Sequence, residues 1–358
     1  MGKAGPNTEL SYAVRPRTVG KYCGDLLCVL AALDAVPALV AFGFDGWTLG
    51  IRYAAPVVVM LAAGLLLRRL RPAPRIQVNE ALVVTAAGFL LAAAAMVTPF
   101  MTAGLPARDA LFEAVSGITT TGLSTTASVA DKPISFLFTR AYLQWYGGLG
   151  IVVLSVALVM RPGAAIRRLA VGEESVTDLA EDTRTHARQV LTVYGSLTAI
   201  TMLALFLTGI GPLAAITYAF SAVSTGGFSI HDASLAGVAG WVPRTIVLFS
   251  ALLGAISFTF YYRWLHGTAH RPPWRDLNVL GLLVAVLLVG AALALCLHYQ
   301  QGRDWNQAVR QGISLGVSAQ TTTGFSTSDV STFSTAAKAI QMLAMFVGGD
   351  IGSTAGGI

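Results

Sequence analysis

Charge is scarce in this sequence. Only 12% of its 358 residues are Asp, Glu, Lys or Arg, while 54% are hydrophobic. A water-soluble domain carries about 25% charge, so an ordinary soluble fold is excluded. Cysteine is scarce too. Cys23, Cys28 and Cys296 lie in or beside apolar runs, with no Cys-x-x-Cys and no Cys/His pair. They read as small buried hydrophobes, which argues against a zinc or redox centre. His186, His231, His266, His270 and His298 are scattered. The spans hold no His/Asp/Glu or Ser/Lys constellation, so the chain is not read as an enzyme, and no covalently bound cofactor is expected. His231 reads as a surface-loop residue rather than a metal ligand.

Long apolar runs are abundant. Ala81–Thr98, Ala187–Leu207 and Leu277–Leu297 are almost free of charge, and each approaches the ~20 residues that cross a bilayer core. The lipid bilayer is therefore the solvent of this chain. Its net charge of +6 does not point to nucleic acid. Sixteen of the 24 basic residues fall in four segments: Lys3–Lys21, Arg68–Arg75, Arg161–Arg188 and Arg263–Arg275. As loops, these all lie on one side, which the positive-inside rule makes cytoplasmic. The first apolar run starts late and contains Asp34 and Pro37, so it reads as a retained helix rather than a signal peptide.

The pattern predicts an all-α, multi-pass membrane protein. Two spans, near Cys23–Phe44 and Ile51–Leu67, form an N-terminal region, residues 1–75. A unit of span, short apolar segment, Thr/Gly stretch and span then recurs over residues 76–170, 171–270 and 271–358, the third incomplete. Its first spans are Val78–Phe100, Ala187–Gly209 and Leu277–Tyr299. Its short segments are Ala107–Gly117, Pro212–Val223 and Trp305–Ala319. Its second spans are Phe136–Met160, Val242–Leu265 and one beginning near Thr335.

After each short segment comes Ser, a small residue, any residue, Thr/Ser, Thr, Thr/Gly, Gly, Leu/Phe and Ser. The copies are Ser116–Ser124, Ser221–Ser229 and Ser318–Ser326. Gly122, Gly227 and Gly324 are spaced by 105 and 97 residues. A second glycine, Gly148, Gly254 or Gly349, follows each by 25 to 27 residues. Such self-similarity marks duplication. A fourth copy would centre about 100 residues beyond Gly324, so the expectation is a pseudo-fourfold pore of which this sequence is a part.

Irregular backbone at membrane depth is costly unless it lines water or is buried in protein. Carbonyls of Thr119, Thr120, Thr121 and Gly122, of Ser224, Thr225, Gly226 and Gly227, and of Thr321, Thr322, Thr323 and Gly324 have an evident use. Converging on one axis, they replace the hydration shell of a monovalent cation. Each short helix aims its partly negative C-terminal end at that ion. Without fixed carboxylates, the loops favour a monovalent over a divalent cation.

Ten residues from Gly348 to Gly357 hold five glycines and should break the last span. Gly348, Gly349, Asp350, Gly352, Ser353, Thr354, Gly356 and Gly357 read as a mobile constriction, with tight helix crossing as the alternative. Asp350 needs a partner or water at that depth. Glu113 either adds negative potential or braces its loop. Asp131, Asp232 and Asp329 either attract cations or are solvated loop charges. Gly147–Gly150 reads as helix packing. Glu173–Arg188 reads as an amphipathic cytoplasmic helix, docking a regulatory subunit or merely solvated.

Leu111–Gly117 running into Thr119–Gly122, Trp145–Gly150, Ser224–Ser229, Thr321–Ser326 and Gly352–Gly357 together resemble the Trk/Ktr/HKT superfamily of potassium and sodium transporters, and the two extra N-terminal spans resemble its Trk branch. The resemblance implies M1–P-loop–M2 repeats around one pore, loop glycines in a selectivity filter, and a gating loop in the third M2. Glycine rather than serine in the first loop, at Gly122, is what potassium-preferring members show. It also implies a homodimer, a cytoplasmic nucleotide-binding regulatory ring of the TrkA/KtrA kind, and the bacterial cytoplasmic membrane. Potassium is the expected ion. Sodium or mixed transport, or a secondary solute transporter with broken helices, are the alternatives. Two departures stand out: Asp350 is more polar than the pattern suggests, and Gln320 replaces the apolar Ile118 and Val223 of the other copies.

Overall fold

The computed structural model describes residues 13–72, 76–159, 176–265 and 276–357. These contain α-helices and short turns of other helix types, with no strand. The first pair is α1 (Pro16–Val40), extended by a π-helical turn at Ala41–Asp45, and α2 (Trp47–Leu67). Of the repeats expected from the sequence, the first holds α3 (Val78–Met101), α4 (Ala107–Ile118) and α5 (Ile134–Val159). The second is α6 (Val176–Leu207), α7 (Pro212–Val223), α8 (Trp241–Gly254) and α9 (Phe258–Leu265). The third is α10 (Leu277–Gln301), α11 (Trp305–Gln320) and α12 (Thr335–Val347).

Among the described residues five helices are long and apolar enough to cross a membrane, or six with α8 and α9 taken as one bent span. The expected span Val242–Leu265 is occupied by α8 and α9 as a bent pair. It bends by 86° after Gly254. Glu173–Ser175 of the expected amphipathic helix lie outside the described residues, as do most of the basic loops. From Val176 onward the chain is one 32-residue helix running into the span.

Helix ends follow local chemistry. Proline opens α1 and α7 at their first turns, where a missing N–H costs nothing. Asp276, Asp304 and Ser334 accept hydrogen bonds from the opening turns of α10, α11 and α12. Gly302 ends α10 with φ +64°. Asp45, from the turn before α2, caps α5, accepting from Ile134 N (3.2 Å) and Ser135 N (2.7 Å). Asp45→Ala should lower stability by about 1 kcal/mol, read as a lower thermal midpoint in detergent.

The chain divides into two compact units. One contains α1–α4, segments 124–127 and 132–139, and hence the start of α5. The other contains residues 119–123, 128–131 and everything from Arg140 onward. In the first, Gly24 and Gly64 let α1 and α2 touch: a Cβ on Gly24 would lie 3.0 Å from the Gly64 carbonyl oxygen. In the second, a Cβ on Gly316 would lie 2.8 Å from the Cα of Gly290, bringing α10 against α11. Lipid is as apolar as leucine, so backbone approach, rather than burial of large side chains, holds such helices together. Large apolar residues accordingly remain exposed, among them Val58, Val59, Leu287 and Leu288.

Candidate functional site

All three Thr/Gly loops lie in the second unit. Each leaves its short helix through the same backbone conformation. Thr120, Thr225 and Thr322 have φ of 56°, 50° and 56°, and two residues later Gly122, Gly227 and Gly324 have φ of 76°, 81° and 81°. A β-branched residue in the left-handed region is strained, costing about 1–3 kcal/mol. The same strain at one position of three loops is a built feature. Residue type in the sequence carries no sign of it, because threonine disfavours this region.

The loops meet edge to edge by a repeated rule. A Cβ on Gly122 would lie 2.1 Å from the Gly226 carbonyl oxygen. A Cβ on Gly227 would lie 1.8 Å from the Thr323 carbonyl oxygen. The glycine of one loop thus faces the carbonyl just before the glycine of the next, twice over. Glycine is required at both positions by conformation and by space. Hydroxyls brace the loops internally: Thr119 Oγ1 pairs with Thr121 Oγ1 at 2.8 Å, and Thr321 Oγ1 with Thr323 Oγ1 at 2.6 Å.

Beyond the glycines, polar contacts tie the loop exits. Glu113 accepts from Ser124 Oγ (2.5 Å) and from the amides of Thr125 (2.8 Å) and Thr126 (3.2 Å), so its bracing reading holds. Tyr218, nine residues before its glycine as Glu113 is, pairs with Ser229 Oγ and with His231 Nδ1, each at 2.8 Å. His231 is half-buried, and burial pushes its pKa down. Asp232 accepts from Val129 N (2.6 Å) and Ser128 Oγ (2.8 Å), which hold its carboxyl below the usual range. Asp329 accepts from Ser331 and is lowered likewise. Both therefore brace their loops from exposed positions, and Asp131 is exposed as well. No group of three His, Cys, Asp or Glu suited to a metal occurs among the described residues.

Helix α12 ends at Val347, and residues 348–357 form the expected break. The loop closes on itself through Gly349 N to Gly356 O (3.0 Å). It docks on the bend between α8 and α9. Asp350 N donates to Ala255 O (3.0 Å), Thr354 N to Gly254 O (3.1 Å), and Phe258 N to Gly352 O (3.1 Å). Thr354 Oγ1 reaches both Val223 O and Gly254 O at 2.9 Å. Asp350 accepts from Ser257 N at 3.3 Å, the partner its depth demands. Two further bonds join this loop to the third Thr/Gly loop: Gly356 N to Thr322 Oγ1 (2.8 Å) and Gln320 Nε2 to Gly348 O (2.6 Å). Gln320 is polar because it holds the start of the break.

A family model described as TrkH, cation transport protein, matches residues 53–358. The chain belongs to the TrkH family. It is 28% identical, over 96% of its length and 73% of the relative, to the Trk system potassium uptake protein TrkH of Vibrio parahaemolyticus. It is 34% identical to the Trk system potassium uptake protein TrkI of Halomonas elongata, over 71% of this chain and 52% of that one. The crystal structure of the potassium transporter TrkH from Vibrio parahaemolyticus superposes with a TM-score of 0.82 at 27% identity, covering 95% of this chain and 72% of the other. This TrkH-family chain is thus an all-α, multi-pass membrane protein of a transporter family.

Sequence reasoning missed two residues that touch or adjoin the Thr/Gly loops of this TrkH-family chain. Arg140 and Gln144 lie one turn apart on α5 and are buried. The Arg140 guanidinium sits 3.9 Å from the Phe228 ring centroid, and Gln144 contacts the second loop. Their signal was a charge and an amide in an apolar span, which is functional by default. Gly148, one turn further, faces Ser224, where a Cβ would come within 3.0 Å. The packing role expected for that glycine run is what it performs.

Proposed function

We propose that this protein takes up potassium across the bacterial cytoplasmic membrane. The ion path is a pore whose selectivity filter is Thr119–Gly122, Ser224–Gly227 and Thr321–Gly324. The supporting observation is the repeated abutment of Gly122 on Gly226 and of Gly227 on Thr323. Three backbone-rich loops brought edge to edge, each at the C-terminal end of a short helix, offer oxygens to a dehydrated monovalent ion. The names of the relatives favour potassium over sodium.

The 348–357 loop serves as the gate in this reading. Its bonds to Thr322 and to the Gly254–Phe258 bend would hold it beside the filter. A homodimer and a cytoplasmic nucleotide-binding ring belong to the same proposal, in keeping with relatives named for a Trk system.

The test is potassium flux into vesicles containing the full-length protein, together with growth of uptake-deficient bacteria at low potassium. Potassium-dependent flux and restored growth are expected. Saturable uptake of an organic solute that ignores potassium would overturn the proposal.

A further inference from the structure

The second Thr/Gly loop departs from the other two in one respect. Loops one and three carry threonine just before the glycine, at Thr121 and Thr323, and each pairs with a hydroxyl two residues earlier. Loop two carries Gly226 there, so Ser224 has no such partner. Its hydroxyl turns to Ser221 O at 3.3 Å.

Gln144 occupies the space. A Cβ on Gly226 would lie 2.3 Å from Gln144 Cδ. The amide is fully buried and every part of it that faces the loop is used. Nε2 donates to Gly226 O at 2.5 Å. Oε1 accepts from Ser221 Oγ at 2.9 Å and from Phe228 N at 3.1 Å. These partners sit before, within and after the glycine pair. With two acceptances at one end and a carbonyl at the other, the amide has a single satisfied orientation.

Gln144 has no counterpart in the other repeats. Counting 22 residues from the loop glycine, as Gln144 does from Gly122, gives Phe249 and Phe346. Gly226 is not needed for its own conformation, because its φ is outside the left-handed region. It is glycine to admit Gln144. We propose that Gln144 is a positioning residue for ion selection: it replaces, from the preceding repeat, the threonine brace that loop two lacks. It holds Gly226 O against Gly122, and so sets the spacing between the first two loops.

This inference rests on the filter reading and is tested beside it, by potassium and sodium flux ratios of the full-length protein in vesicles. Gln144→Ala leaves three buried polar groups unpaired and frees the loop. The potassium-to-sodium ratio should fall by about tenfold. Gly226→Thr alone should impair flux, since its side chain meets Gln144. The double variant Gln144→Ala/Gly226→Thr rebuilds the arrangement of loops one and three, with Ser224 as the hydroxyl partner. It should recover the ratio to within about threefold of wild type. Thermal midpoints in detergent separate misfolding from mispositioning: recovery of the ratio by the double variant excludes a fold defect. An unchanged ratio in Gln144→Ala, or a double variant no better than Gln144→Ala, overturns the inference and leaves the filter reading standing. Wild-type vesicles without cation flux overturn both.

Discussion

Gly227→Val is expected to abolish cation uptake, with flux lower by roughly 100-fold or more. Two independent effects act at this position. Its φ of +81° is one that a β-branched residue resists. Its missing Cβ would fall 1.8 Å from the Thr323 carbonyl oxygen, so the second and third loops cannot both keep their places. Gly209 separates the two effects. It has φ +84°, but no atom lies within 4 Å of its Cβ position. Gly209→Val therefore carries the strain without the collision and should retain most of the flux. Initial rates in vesicles, normalised to inserted protein, make the comparison. A Gly227→Val protein that keeps a tenth of the wild-type rate would remove this glycine from the narrow part of the path.

Thr354→Val should raise flux about 5- to 30-fold. Valine keeps the volume and loses the hydroxyl that reaches Val223 O and Gly254 O. A buried hydrogen bond contributes about 1 kcal/mol net, and stranded carbonyls add to the loss. At 1.4 kcal/mol per tenfold, a loss of about 1–2 kcal/mol shifts a docked-to-released equilibrium by that factor. The backbone bond from Thr354 N to Gly254 O remains, so the loop is weakened rather than deleted. Thr354→Ser keeps the donor and should behave as wild type. An unchanged rate in Thr354→Val, with unchanged stability, would mean that docking on the α8–α9 bend does not limit conduction.

The docked 348–357 loop is also bonded to the third Thr/Gly loop. Thr322 is one of the three strained threonines, and its hydroxyl accepts from Gly356 N. Gln320, two residues earlier, holds Gly348 O. The third Thr/Gly loop is therefore joined to both ends of the 348–357 segment without passing through α12. Gln320 stood out in the sequence as a polar intruder, and its partner 28 residues away accounts for it.

Much of this protein was legible in one dimension. Spans follow from local hydropathy, which depends on neighbours in the chain alone, and α7 occupies the expected residues, Pro212–Val223. The loop glycines stood out because three internal copies could be laid over one another. The break after Val347 followed from glycine density. Three matters were not legible: the bend after Gly254, the left-handed threonines, and the hold of Gln144 on the second loop. The bend and the hold of Gln144 depend on partners far along the chain, and the threonines adopt a conformation their residue type disfavours. The bend is bonded to residues 350–354, and Gln144 reaches Ser221 and Gly226, 77 and 82 residues on. Composition and period report which segments leave water and which break helices. Which carbonyl meets which glycine is settled only when the repeats pack, because steric exclusion and hydrogen-bond satisfaction act between neighbours in space.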